Sequence, residues 1–513
     1  MVLDMDFVKS LVRTVMRELK VPATWDGPEV QQALQAALSQ PELQRTLLAE
    51  VIQAAQSDKR LRKALAEEAV QLDILQRLNP NAAGLDIGAA EIWASVPEGR
   101  APQPVRMFPT FTVDLKALAD WLQACGIQTV AMESTGVYWI PVYEILEERG
   151  FQVFLVNARH LKNVPGKKTD ILDCQWIQQL HTFGLLRASF RPAQDMCAVR
   201  AYVRHRDTLI RYRSVHVLHM QKALTQMNVQ LTLVLSDITG ETGMRITRAI
   251  VAGERDPHKL AQFRDVRCAK SEEEIAKALT GNYRPEHVFE LQQSLALYDF
   301  YTQQIKACDA ELEVKYTAIK PVVDIVAYPL PKTPKSKRRK PKNAPEYDLR
   351  TYLYQLTGVD LTAVDGLDSV LAQEIVSHIG LDMSAWPDDK HFTSWLRLAP
   401  HNDISGGKVL RSRTGKTTNP ATLAFRLAAQ SVSRADTALG AFFRRMRAKH
   451  GAAKAIVATA NKIARIVYHM LKDKRPYVAH GADYYEQKYQ EQALKKLKRQ
   501  AAKLGMKLVP ASA

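Results

Sequence analysis

The sequence predicts an α/β domain built on a mixed sheet, joined to a mainly helical, all-α remainder. Short apolar runs from Asn81 onward first follow one another and then alternate with amphipathic stretches, as strands in a row and then strand–helix pairs do. After Phe190 that alternation stops, and the chain becomes long, polar and helical in period. A proline-rich basic stretch at 331–345 then separates this region from a further one.

Residues 1–78 carry apolar positions at intervals of three and four, Phe7, Leu11, Val15 and Leu19 among them. They predict a helical extension suited to docking or self-association. Residues 79–190 hold the α/β pattern. "AAGLDIGAAEIWASV" reads as a strand, a glycine-centred turn and a second strand, and "VRMFPTF" as a third. "DLKALADWLQACG" is a helix that stops at glycine, and "IQTVAME" is a short apolar strand ending on Glu133. "VYWIPVYEILEERG" is a helix with Pro141 in its first turn, and "FQVFLV" is another strand. "PGKKTDILDCQWIQQLH" starts a helix for which Thr169 is the expected N-cap.

Residues 191–330 predict a helical arm with coiled-coil character, although no heptad runs cleanly through them. Residues 331–345, "PKTPKSKRRKPKNAP", have seven basic side chains, four prolines and no acid, the composition of a flexible basic linker. Residues 346–480 form a further folded unit. Within it "LTAVDGLDSVLAQEIVSHIG" has a helix-hairpin-helix-like pattern, with a turn at Asp365 and Gly366 and a small Ala372 for close packing. Such hairpins offer backbone amides to phosphates, and an ordinary αα-hairpin fits the same pattern. Residues 481–513 are a basic tail, helical from Tyr484, with Lys495, Lys496, Lys498 and Arg499.

Charge narrows the function. Seventy-one Lys and Arg face 54 Asp and Glu, a net charge of +17, which points to a polyanionic partner, most simply nucleic acid. The five cysteines are odd in number and form no C-x-x-C pair, which argues for a reducing compartment and against a thiolate zinc site. "MVLDMDFVKS" lacks the apolar core of a signal peptide, and no apolar run is long enough to span a bilayer. The expected location is the cytoplasm, near the nucleoid, with no membrane association.

The acidic residues suggest chemistry. Asp86 interrupts an apolar strand, where aspartate is disfavoured. Glu133 ends a second apolar strand, and Asp170 and Asp173 sit one helical turn apart, on one face. Central strands ending at one edge, with a helix starting nearby, bring such carboxylates into one cleft. Four carboxylates there repel unless cations compensate, and Mg²⁺, which prefers hard oxygen ligands, is the natural cation. Two such ions stabilise the attacking and leaving oxygens of a phosphoryl transfer. First-turn aspartates are also favoured by the helix dipole alone, so Asp170 and Asp173 by themselves decide nothing.

"GLDIGAAEIWASV", "VAMESTGVYWIPVYEIL", "FLVNARHLKNVPGKKTDILDCQWI" and "GLLRASFRP" resemble the RuvC-like DEDD domain of a large insertion-sequence transposase family. "LTAVDGLDSVLAQEIVSHIG" and "FTSWLRLAPHNDISGGK" resemble the C-terminal transposase domain of that family. The resemblance spans roughly 80–480 in scattered blocks; residues 1–78, the long arm and the basic linker depart from it. It implies a ribonuclease-H-type fold, with Asp86, Glu133, Asp170 and Asp173 as catalytic Mg²⁺ ligands. It also implies site-specific DNA recombination, a structured guide (bridge) RNA as partner, and a homo-oligomer, dimeric or higher.

The resemblance further implies a serine nucleophile, at Ser405 in "NDISGGK". A serine followed by two glycines suits a tight turn close to a phosphate, and also suits a plain turn. Lys408, Arg411, Arg413 and Lys416 follow as candidate phosphate contacts. A structure-specific nuclease of the Holliday-junction-resolvase type would need the carboxylates but not Ser405. A non-catalytic nucleic-acid-binding protein would need neither. "RTGKTT" lacks the first glycine of a phosphate-binding loop, since Leu410 stands there. His216 and His219 have a metal-compatible spacing without Cys or Glu partners, and read as packing or nucleic-acid-facing side chains.

Overall fold

Ala, Leu and Ile crowd the 82–87 stretch, and burial on both faces makes it a central strand rather than an edge. The computed structural model describes residues 77–134, 136–157, 169–332, 343–405, 408–507 and 509. The expected N-terminal helices and most of the basic linker therefore lie outside the described residues. The described chain falls into two units divided between Phe190 and Arg191.

The first unit is a five-stranded mixed sheet with helices. Strand β1 (Ala82–Ile87) turns back through β2 (Glu91–Ser95) and β3 (Val105–Pro109), both antiparallel pairings. Helix α1 (Thr112–Ala124) crosses to β4 (Thr129–Glu133), which pairs parallel with β1. Helix α2 (Trp139–Glu148) leads to β5 (Gln152–Val156), parallel to β4, and α3 (Asp170–Thr182) follows. The order β3-β2-β1-β4-β5 is that of a ribonuclease-H-like sheet. Leu85, Ile92, Leu118, Leu122, Met132 and Leu146 are fully or almost fully buried in the core that one sheet face shares with α1 and α2. Gly126, with φ of 68°, ends α1 in the left-handed region that glycine adopts without strain.

His181 anchors the last turn of α3. Its Nε2 lies 2.8 Å from Thr129 Oγ1, and its ring packs 4.5 Å from that of Phe154. Burial pushes its pKa down to about 4, so the ring is neutral at pH 7.

The second unit starts with the arm. Helices α4 (Gln194–Gln226) and α7 (Pro285–Ala318) run antiparallel, each about 50 Å long at the helical rise per residue. Lys222 pairs with Glu290 at one end, and Arg206 with Asp309 at the other. Arg206 is buried; it also donates from Nη2 to Asp309 Oδ2 at 3.1 Å and to Asn343 O at 2.8 Å, satisfying a charge that would otherwise be costly. Between the two helices lie α5 (Glu241–Val251), α6 (Glu272–Ala278) and two shorter helical turns. They close a separate core around Leu224, Ile246, Ile250, Ile275 and Leu291. His216 stacks on Tyr301 at 5.4 Å and meets His219 edge-on.

A helical bundle follows: α8 (Leu349–Thr357), α9 (Ser369–Ile379), α10 (Asp389–Trp395), α11 (Pro420–Ser431), α12 (Ala438–His450), α13 (Ala452–Asp473) and the tail helix α14 (Ala482–Lys503). Phe392, Phe425, Ile463 and Val467 fill its core. The turn before α9 faces inward: a Cβ at Gly366 would lie 2.4 Å from Ala428 O on α11. Helix α9 ties the bundle to the arm. Arg204 Nε on α4 donates to His378 Nε2 at 3.1 Å, and Gln373 donates to the Tyr316 hydroxyl on α7 at 2.9 Å. Burial holds His378 near pKa 4 as well, so this ring is also neutral. A β-ribbon interrupts the helices: β6 (His401–Ser405) pairs antiparallel with β7 (Lys408–Arg413). Among the described residues no helix is long and apolar enough to cross a membrane, and all five cysteines are unpaired.

Candidate active site

Gly84 decides where the acids of the first unit meet. A Cβ there would fall 2.3 Å from the Gln178 backbone nitrogen and 2.4 Å from the Cys174 carbonyl oxygen. Only glycine lets α3 lie this close to β1. Two residues farther along the strand, Asp86 shares the face of Gly84, since side chains alternate along a strand. Asp86 is half-buried in an otherwise buried strand.

Glu133 arrives by register. Leu85 stands opposite Met132 in the parallel β1–β4 pair, so the next residues, Asp86 and Glu133, reach the same end of the sheet side by side. Asp170 and Asp173 arrive on the first turn of α3, where Thr169 accepts from Leu172 N at 3.3 Å as N-cap. Two strand ends and one helix start thus bring the four sequence-predicted acids together.

Their proximity has an electrostatic signature. Burial, followed by the charges of Asp173, Asp170 and Glu133, pushes the pKa of Asp86 up to about 6. The Cys174 thiol is pushed up to about 12, mainly by burial and next by the charge of Asp86. Among the described residues, however, no group of three His, Cys, Asp or Glu closes into a metal-holding arrangement. The four carboxylates share a field without converging on one point. The donor set is nonetheless all hard oxygen, as Mg²⁺ requires, and a cation would reverse the repulsion now felt by Asp86.

Gly84 and Cys174 were not singled out in the sequence, although both shape this site. The signal for Gly84 is its position two residues before Asp86, on the face that must admit a helix. Trp93 pairs with Asp86 across β1–β2, and its buried indole N–H has no hydrogen-bond partner among the described residues. No pattern in the sequence marks it.

Ser405 lies in the second unit, at the end of β6, and its backbone registers with Lys408 across the connection at 406–407. Every residue of β7 is exposed, including Lys408, Arg411 and Arg413, and so is Lys416 beyond it. None of these four cations makes an ion pair with a described carboxylate, which leaves a basic, solvated ribbon suited to phosphates.

Two family models match the chain. Residues 83–229 match a DEDD model of IS110 type, described as "Transposase". Residues 360–444 match one described as "Transposase IS116/IS110/IS902 family". The first covers all four acids and the second covers Ser405 and its basic neighbours. No curated protein matches.

Proposed function

This chain is a transposase of the IS110 family, an enzyme of DNA phosphoryl transfer, and from that premise we propose how its own residues divide the work. Asp86, Glu133, Asp170 and Asp173 hold Mg²⁺, as a two-ion site. When bound, the metal supplies electrostatic stabilisation of the phosphate undergoing exchange. The supporting observation is the raised pKa of Asp86, whose causes include all three of the other acids. A carboxylate under that pressure gains more from a cation than an isolated one does.

Ser405 is the nucleophile. Its hydroxyl gives up a proton and its oxygen attacks the scissile phosphorus. The bond from phosphorus to the departing DNA oxygen breaks, and that oxygen takes up a proton. The serine–phosphate ester keeps the energy of the broken bond, so reversal on a new strand end rejoins DNA without ATP. Lys408, Arg411, Arg413 and Lys416 bind the neighbouring phosphates. A structured RNA guides the choice of site, and the active species is a homo-oligomer.

The deciding experiment traps the intermediate. Incubation with element-end DNA and Mg²⁺, followed by denaturation, is expected to leave a protein–DNA adduct that maps to Ser405 and is absent from Ser405→Ala. Free hydrolysed ends without an adduct would instead identify a resolvase-like nuclease. Retention of cleavage by Ser405→Ala would remove the serine from the mechanism.

A further inference from the structure

A cavity of about 590 Å³ opens in the second unit between α13, the segment after it and α14. Most of its lining lies beyond residue 444, where the C-terminal family match ends; Asp389, Ala438 and Leu439 lie within that match. Lys462, Arg465, His469, Arg475, His480 and Lys488 line it, against a single lining carboxylate, Asp389. That carboxylate is already engaged, 2.5 Å from Arg465 Nε and 3.5 Å from His469 Nε2. Arg475 is exposed and makes no ion pair with a described residue. The cavity therefore carries uncompensated positive charge.

Rings are interleaved with these cations. His480 stacks on Tyr484 at 3.9 Å with planes 13° apart, and Tyr484 remains 37% exposed. Lys488 Nζ sits 4.6 Å over the Tyr484 ring, and Lys462 Nζ lies 4.2 Å over Phe442 and 5.7 Å over Tyr485. His480 takes one face of Tyr484, and a further flat ring would stack on the other by displacing the Lys488 side chain toward the phosphate attached to it. The volume fits a nucleotide-sized ligand, within the usual range for small-molecule pockets. It is far too small for a duplex, so a base entering it must be unpaired.

We propose that this cavity binds an unpaired nucleotide of a single-stranded nucleic acid segment, with the base stacked on Tyr484 and the phosphate held by Arg475 and Lys488. The proposal rests on the reading that the protein acts on nucleic acid, and it adds a subsite remote in sequence from Ser405. Stacking on tyrosine is tolerant of base identity, so the pocket senses strandedness rather than sequence.

The test uses the full chain and two probes, a short fluorescent oligothymidylate and a duplex without unpaired ends. Tyr484→Ala is expected to weaken oligothymidylate binding about tenfold and to leave duplex binding unchanged. Tyr484→Phe, which keeps the ring, should restore it. Arg475→Gln, at an exposed position, provides a second variant with little risk to folding and should weaken the same probe several-fold. Equal losses on both probes, or no loss on oligothymidylate, would overturn the proposal. So would displacement of the oligonucleotide by inorganic phosphate at matched phosphate concentration, which would make the pocket an anion site only. Failure here leaves duplex binding and strand cleavage intact, whereas failure of the transposase reading removes both.

Discussion

Asp86 and the β6–β7 ribbon occupy opposite kinds of surroundings. Asp86 stands on a central strand, half-buried, with helix α3 pressed against Gly84 two residues away. Strand β7 is exposed at every position and belongs to a two-stranded ribbon. In the first region the fold sets the chemistry: burial and three neighbouring charges shift a proton equilibrium before any ligand arrives. In the second, the cations are solvated, and their field is screened by salt. A two-stranded ribbon is also marginal by itself. The first region is preorganised, and the second is free to shape itself to a phosphate backbone.

The largest expected effect tests that contrast at its acidic end. Asp86→Asn should lower strand cleavage about 10³-fold or more, roughly 4 kcal/mol in transition-state terms. The same change should raise metal-free thermal stability by on the order of 1 kcal/mol, because it removes one of four repelling charges. Mg²⁺ should raise the Tm of the wild type and not that of the variant. An Asp86→Asn chain less stable than wild type, with no Mg²⁺ response in either, would break the contrast.

Next comes Gly84→Ala. The added methyl meets three backbone atoms of α3, so it cannot be relieved by a rotamer change. A loss of about 1–3 kcal/mol is expected from overpacking. Cleavage should fall with it as Asp170 and Asp173 are displaced. Denaturant melts together with cleavage assays read this out. A neutral outcome would mean that α3 does not position the acids.

A smaller effect is common to both units. His181 and His378 are each held near pKa 4 by burial, below the 6.5 of a free histidine. The unfolded chain therefore binds protons more readily than the folded one. The stabilisation is complete above about pH 6.5 and is lost as pH falls from there toward 4. Each site should give up on the order of 1 kcal/mol by about pH 5.5. Thermal melts across that window should show parallel losses, and nuclear magnetic resonance should find both rings neutral at pH 6. A ring found charged at pH 6 would contradict the burial.

The smallest effect on stability belongs to the ribbon. Arg411→Gln combined with Arg413→Gln should change folding stability by less than about 0.5 kcal/mol. The same double variant should reduce the slope of log affinity for duplex DNA against log salt by roughly two, if each arginine meets one phosphate. An unchanged slope would show that the ribbon does not contact DNA phosphates.

Much of the first unit was legible in the sequence. Strands from Ala82 to Val156 are short apolar runs bounded by turns, and period alone reveals them. Asp86 was conspicuous because a carboxylate in an apolar strand has no local reason to be there. The start of α3 was equally legible, since Thr169 caps it through its own side chain. The helical domain at the distal end of the arm was not, because its core joins Leu224 to Ile246 and Leu291 across several turns. Nor was the β6–β7 ribbon expected, since "SGGKVLRSRTG" lacks the alternation of a strand with one buried face. The inward-facing turn at Gly366 also depends on a distant helix, α11, which the local pattern does not reveal.

The sequence by itself determined the elements, the residue types and the charge: apolar period, capping side chains and lysine–arginine excess are local or additive properties. Only the tertiary structure decided that Asp86, Glu133, Asp170 and Asp173 share one field. That depends on the parallel register of β1 with β4 and on the backbone of α3 reaching Gly84, and both are contacts between segments far apart in the chain. The same holds for the cavity beside Tyr484, which exists because α14 folds back on α12, beside α13. A proton affinity or a stacking surface is set by distance in space, and distance in space is what a linear pattern does not encode.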